Sequence, residues 1–90
     1  MRIIFDPVKR EKTLIERGLD FARAGSVFAG ISLTTDDCCQ DYGETRCITI
    51  GHLDDRIVLV VWTLRDGARR IISMRKANER EIEKYTQRLG

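Results

Sequence analysis

No apolar run in this 90-residue chain approaches the roughly 18 residues of a membrane-spanning helix; the longest is Ile57 to Trp62. The opening MRIIFDPVK has an early charge but no apolar core of the kind a secretory signal carries. Cysteines number three, two of them adjacent at Cys38-Cys39, and an odd count so placed makes no disulfide framework. Reduced thiols in the cytosol are the expectation. Histidine occurs once, at His52, and Cys38-Cys39 lacks the spacing of a zinc knuckle, so no metal is expected. A P-loop, a GxGxxG, a GxSxG elbow and an HExxH are all missing, which leaves no nucleotide, hydrolase-elbow or metalloprotease signature and no cofactor. Repeats, linkers and low-complexity segments are absent too, so residues 1–90 read as one domain.

What is present is charge, unevenly spread. The formal net charge is only +2. Residues 1–30 hold six Lys/Arg against four Asp/Glu, residues 31–64 two against six, and residues 65–90 eight against four. A basic last third suits a polyanion, and equally suits a solvated strand and helix.

Periodicity supplies the frame. Arg2 to Phe5 is β-prone, and Asp6-Pro7 is an N-cap followed by a proline at the first helical turn. That helix is expected to reach Arg17, with Val8, Leu14 and Ile15 inward and Gly18 ending it. Asp20 caps a second helix carrying Phe21, Ala24, Val27 and Phe28 inward. Strands follow at Ile31–Thr35, Arg46–Gly51, Arg56–Leu64 and Arg69–Met74. Residues 36–44 and His52–Asp55 are read as turns, and Asp66-Gly67 as a tight hairpin. Arg56–Leu64, apolar on both faces, is the expected central strand. Asn78 and Glu81 form a capping-box pattern ahead of a last helix whose apolar stripe is Ile82, Tyr85 and Leu89. The expected fold is α+β, in the order β-α-α-β-β-β-β-α, with an antiparallel sheet and helices packed on one face.

The polar chemistry left is guanidinium and carboxylate. Arg46, Arg65, Arg69, Arg70 and Arg75 lie on or beside three consecutive strands, with Lys76 at the junction to the last helix. Neighbouring strands stand side chains next to one another, and planar guanidinium forks suit phosphate oxygens. Glu44, just ahead of Arg46, reads as a base or an ion-pair partner. Tyr42, Tyr85 and Trp62 read as stacking residues or as core. His52, in its expected turn, reads as a surface residue.

These segments together resemble the BrnT family of type II toxin–antitoxin ribonucleases. Phe5-Asp6-Pro7 with Lys9, Gly18 to Phe21, and Tyr42-Gly43-Glu44-Thr45-Arg46 with Ile50-Gly51 each resemble a family segment. So do Val60 to Thr63 with Arg65, and Arg70 to Ala77 with Glu81 and Tyr85. The resemblance implies a RelE-like fold and metal-independent endoribonuclease cleavage by 2′-hydroxyl attack. It further implies neutralisation by a BrnA-like antitoxin, as a heterotetramer around an antitoxin dimer, and repression of the operon through the antitoxin's hold on operator DNA. Carried across residue by residue, it implies Arg46, Arg65 and Arg75 at the phosphate, Glu44 as base, and Arg70, Lys76 and Tyr85 as RNA contacts. The family typically ends its first helix in Lys-His-Gly, whereas this chain has Glu16-Arg17-Gly18. Arg17 cannot shuttle protons near neutral pH, though it can bind phosphate. The alternative reading is therefore a catalytically weakened module of the same fold that still binds RNA or antitoxin.

Overall fold

Asp6-Pro7 starts the first helix as its chemistry requires. The structure is a computed structural model that describes residues 2–35, 40–41 and 44–89, with the side chains of all but 40, 41, 44, 45 and 89. Strand β1 (Ile3–Phe5) passes straight into helix α1 (Pro7–Arg17). The Asp6 carboxylate accepts from Val8 N at 2.9 Å, and Gly18, at φ 69°, closes the helix by donating to the Leu14 carbonyl. Asp20 accepts from Ala22 N and starts a 3-10 turn (Phe21–Arg23) that continues as α2 (Ala24–Ala29). Arg10 grips the same carboxylate through two hydrogen bonds of 2.7 and 2.9 Å, tying α1 to that turn.

The remaining elements are β2 (Ser32–Thr35), β3 (Gln40–Asp41), β4 (Glu44–Leu53), β5 (Arg56–Arg65), β6 (Ala68–Lys76) and α3 (Glu79–Leu89). Most of the expected turn at 36–44, including Tyr42 and Cys38-Cys39, lies outside the described residues. Strand order is β1-β6-β5-β4-β2, with β3 paired to β4, and β5 is central as its apolar run required. The wholly antiparallel sheet is a correction: β1 runs parallel to β6, from Ile3 opposite Arg69 to Phe5 opposite Ile71. A three-residue strand whose partner lies at the far end of the chain has no turn to set its direction.

The helices occupy both faces rather than one, a second correction. On β5, Val58, Val60 and Trp62 point to the side where Leu19, Phe21, Ala24 and Val27 pack with Ile71 and Met74. Leu59, on the opposite side, lines a groove with Glu81, Lys84, Tyr85 and Arg88 of α3. Helix α1 also departs from expectation. Val8 and Ile15 are 74% and 76% exposed, and Leu14 39%, because α1 is held by polar links to Asp20 and β6 instead of an inward stripe.

Two turns set the register. Asp66 and Gly67 both take positive φ, 53° and 75°, and close the β5–β6 hairpin with Arg65 opposite Ala68. The β4–β5 turn contains only Asp54 and Asp55, so Leu53 pairs with Arg56 and His52 belongs to β4 rather than to the turn. Farther along β6 the pairing slips: Val61 faces Ser73 but Trp62 faces Ile71, which leaves Ile72 as the extra residue of a bulge.

Candidate functional site

That bulge decides which basic side chains share a face. Arg70 and Arg75 are five positions apart, so strict alternation would send them to opposite sides of the sheet. With one residue bulged, both stand on the α3 side: Arg70 pairs with Thr63, and Arg75 with Leu59. Thr63 also pairs with Arg46 across β4. Arg46, Thr63 and Arg70 therefore form one row over three strands, and Arg65 stands two residues beyond Thr63 on the same face. Strand spacing puts the Arg46 and Arg70 backbones about 10 Å apart, with Arg65 about 7 Å from Thr63. Thr63 is 3% exposed, Arg46 and Arg70 are half-buried, and Arg65 is exposed. Three guanidinium side chains are thus rooted in one small area, and their planar forks suit phosphate oxygens.

The other candidates fall around this row. Glu44 opens β4 two positions before Arg46, with its side chain outside the described residues. Arg75 stands four residues down the sheet from the level of Thr63, about 13 Å away. Its two terminal nitrogens donate to the Glu81 carboxylate at 2.8 and 2.7 Å. Glu81 also accepts from Asn78 N at 2.9 Å, while the Asn78 side chain accepts from Glu81 N at 2.8 Å, so the expected capping box is present. Those hydrogen bonds lower the Glu81 pKa and raise that of Arg75.

Lys76 faces the other side, where it borders a cleft with Glu16 and Arg17. Arg17 donates to the Met74 carbonyl at 2.8 Å, linking the end of α1 to β6 beyond the stretch paired by β1. Next to it, Lys9, Lys12, Thr13, Glu16 and Arg17 line a cleft of about 250 Å³ against Ile72 and Ser73. Arg17 and Lys76 are thus brought together, but apart from the row at Thr63.

Tyr85 is 3% exposed, the core position of its two readings rather than an open stacking surface. Its hydroxyl donates to the Ile31 carbonyl at 2.7 Å and lies 3.1 Å from His52 Nδ1. With the phenol proton so placed, Nδ1 must carry the histidine proton. Burial raises the Tyr85 pKa, so the phenol stays neutral and positions α3. His52 pairs with Ile57, six residues along β5 from Thr63, too far to serve that row.

Two features were missed. Thr63 has no role in the sequence reading beyond its place in the Val60 to Thr63 segment, yet the two-residue turns at 54–55 and 66–67 dictate that Arg46 and Arg70 flank it. Arg69, given no role of its own among the strand arginines, is half-buried with its guanidinium carbon 4.0 Å from the Phe28 ring centre and 5.0 Å from that of Trp62. Phe28 and Trp62 themselves meet edge-to-face. Among the described residues no three His, Cys, Asp or Glu side chains gather into a metal-ligand set.

The family model described as "Ribonuclease toxin, BrnT, of type II toxin-antitoxin system" matches residues 5–81. The chain belongs to the BrnT family. As a type II toxin it has RNA as substrate and an antitoxin as partner. The matched span takes in every basic candidate above and stops at Glu81, short of Tyr85. No curated protein matches the chain. No described helix of this BrnT protein is long and apolar enough to cross a membrane.

Proposed function

We propose that this BrnT toxin is a metal-independent endoribonuclease on a RelE-like scaffold, and that it holds the scissile phosphate over Thr63. The observation that carries this reading is the convergence of Arg46, Arg65 and Arg70 from three strands on one face. The ribose 2′-oxygen attacks the adjacent phosphorus as Glu44 takes its proton. The three guanidinium groups stabilise the charge that builds on the phosphate oxygens. The bond to the 5′-oxygen breaks, leaving a 2′,3′-cyclic phosphate and a 5′-oxygen that takes a proton from water. Arg17 does not supply that proton, because a guanidinium stays charged at neutral pH.

Arg75, its fork oriented by Glu81, binds a phosphate farther along the strand, and Arg17 and Lys76 hold flanking RNA at the far side of β6. A BrnA-like antitoxin silences the enzyme, two of each forming a heterotetramer that represses the operon through the antitoxin. A second reading, a weakened binding module, is favoured by one observation: Arg17 stands in place of the family histidine and is bonded to the Met74 carbonyl. The test is cleavage of a defined RNA by purified protein in EDTA, with cyclic-phosphate ends on the product. Intact RNA with the natural chain, but cleavage with Arg17→His, would replace the enzyme by the weakened module.

A further inference from the structure

On the α3 side of the sheet, away from the arginine row, the floor changes from basic to aliphatic. Leu33 and Thr35 of β2, Ile48 and Ile50 of β4 and Leu59 of β5 floor a groove of about 230 Å³. It reaches across to β2, the last strand in the sheet order. Its wall is one stripe of α3, with Glu81, Lys84, Tyr85 and Arg88 three and four residues apart. The charges of this wall do not cancel locally. Glu81, the lone acid among the described residues that line it, is taken up by Arg75 and the Asn78 backbone, while Lys84 and Arg88 are exposed.

We infer that this groove is the docking site of the antitoxin, through a segment that is apolar on one side and acidic on the other. The inference rests on the toxin reading and specifies the partner's surface. Apolar side chains of the segment fill the aliphatic floor, and its carboxylates meet Lys84 and Arg88 at the rim, where opposite charges guide encounter and register. RNA suits the groove less. Among the described residues the one aromatic ring in its lining belongs to Tyr85, which is 3% exposed and has its hydroxyl occupied by Ile31 and His52, so it offers no face for a base to stack on. The groove also lies beside the row at Thr63 rather than on it. Docking there leaves the arginines to be shielded by whatever follows the segment, or to remain open.

The experiment pairs the full chain with the antitoxin encoded beside it, by calorimetry at low and high salt. Lys84→Glu with Arg88→Glu changes only exposed positions, and is expected to weaken antitoxin binding about tenfold or more and to abolish its salt dependence. Leu33→Glu, at the half-buried lip of the floor, is expected to weaken binding by a similar factor, with thermal melting to confirm that each variant folds. Cleavage of RNA by the free Lys84→Glu/Arg88→Glu protein should match that of the natural chain. Antitoxin affinity within about twofold of the natural chain in both variants overturns the proposal. So does antitoxin binding lost to charge reversal at Arg46, Arg65 and Arg70 but not at Lys84 and Arg88, and so does loss of RNA binding alone. Failure of the natural chain to cleave RNA would sink the enzyme reading and leave this binding measurement intact.

Discussion

Arg70→Ala and Arg75→Ala separate a scissile phosphate at Thr63 from one lower on the sheet. Arg70 stands directly beside Thr63, so its guanidinium can contact a phosphate there. At about 4 Å and an effective dielectric near 20, a unit charge pair is worth about 4 kcal/mol, an upper limit for the loss. Removal of a single preorganised donor to developing charge costs about 10²–10³ in rate. Arg75 is rooted about 13 Å away, where the same expression gives about 1.3 kcal/mol, and a screening length near 8 Å at physiological salt cuts this severalfold. Arg70→Ala should therefore slow single-turnover cleavage of a defined RNA at saturating enzyme by about 10²–10³, and Arg75→Ala by less than about tenfold. Arg70→Lys, which restores charge without the fork, should fall between. Arg75→Ala should instead raise the enzyme concentration needed for half-maximal rate and lower stability by about 1 kcal/mol, since it strips a partly exposed pair from the cap of α3. The opposite ranking, with Arg75→Ala losing the chemical step in a folded protein and Arg70→Ala nearly normal, refutes Thr63 as the centre.

Three further outcomes test the scaffold. The Arg10 hydrogen bonds hold the Asp20 carboxyl down from 3.8 to about 2, so its contribution is complete above the unfolded value and disappears as pH falls through about 2. Asp20→Ala should cost at least about 1 kcal/mol near neutral pH through the lost cap, and should flatten acid unfolding between those values; an unchanged acid limb by circular dichroism counts against the pair. A Cβ at Gly51 would lie 3.0 Å from both Ser32 Cβ and Val27 Cγ1, so Gly51→Ala should lower urea stability by about 1–3 kcal/mol, and a gain in stability would show that α2 does not press on β4 there. Thr49, fully buried, accepts from Trp62 Nε1 at 2.8 Å and shares a 2.7 Å bond with the Thr34 hydroxyl. Thr49→Val should cost about 1–3 kcal/mol while Thr49→Ser retains most stability, and equal midpoints for the two would remove the hydroxyl chain as a source of stability.

What could be read from the sequence was local. Asp6 with Pro7, Gly18, Asp66-Gly67, and Asn78 with Glu81 each set their element within a few residues, and all four stand as expected. The apolar run of β5 identified the central strand because burial on both faces leaves no polar alternation. What could not be read depends on distant parts of the chain. The direction of β1 is set by β6, more than sixty residues away. Val8 and Ile15 form a plausible inward stripe on paper, but α1 is held by Arg10 and Arg17, and those apolar side chains stay in solvent. The row at Thr63 was half legible, since hairpin registers follow from two-residue turns. The bulge at Ile72 was not, because nothing in Arg-Ile-Ile-Ser-Met says which residue will be the extra one.

At Arg17, where the sequence resemblance implies a histidine, the two side chains would differ in one part of their role. Its hydrogen bond reaches the Met74 carbonyl, immediately before Arg75, so the residue at the end of α1 helps hold the strand that carries the basic side chains. A histidine at this place could donate to the same carbonyl through one ring nitrogen and keep the other for proton transfer at neutral pH. Arginine offers several donors and a permanent charge, but none of its protons leaves near pH 7. Compared with a histidine, the arginine therefore keeps the link to β6 and attracts phosphate more strongly, without the proton exchange a histidine would allow. Placing a histidine there tests proton transfer separately from anchoring: Arg17→His should change the pH dependence of cleavage near neutrality, whereas a purely structural position would alter only the melting temperature.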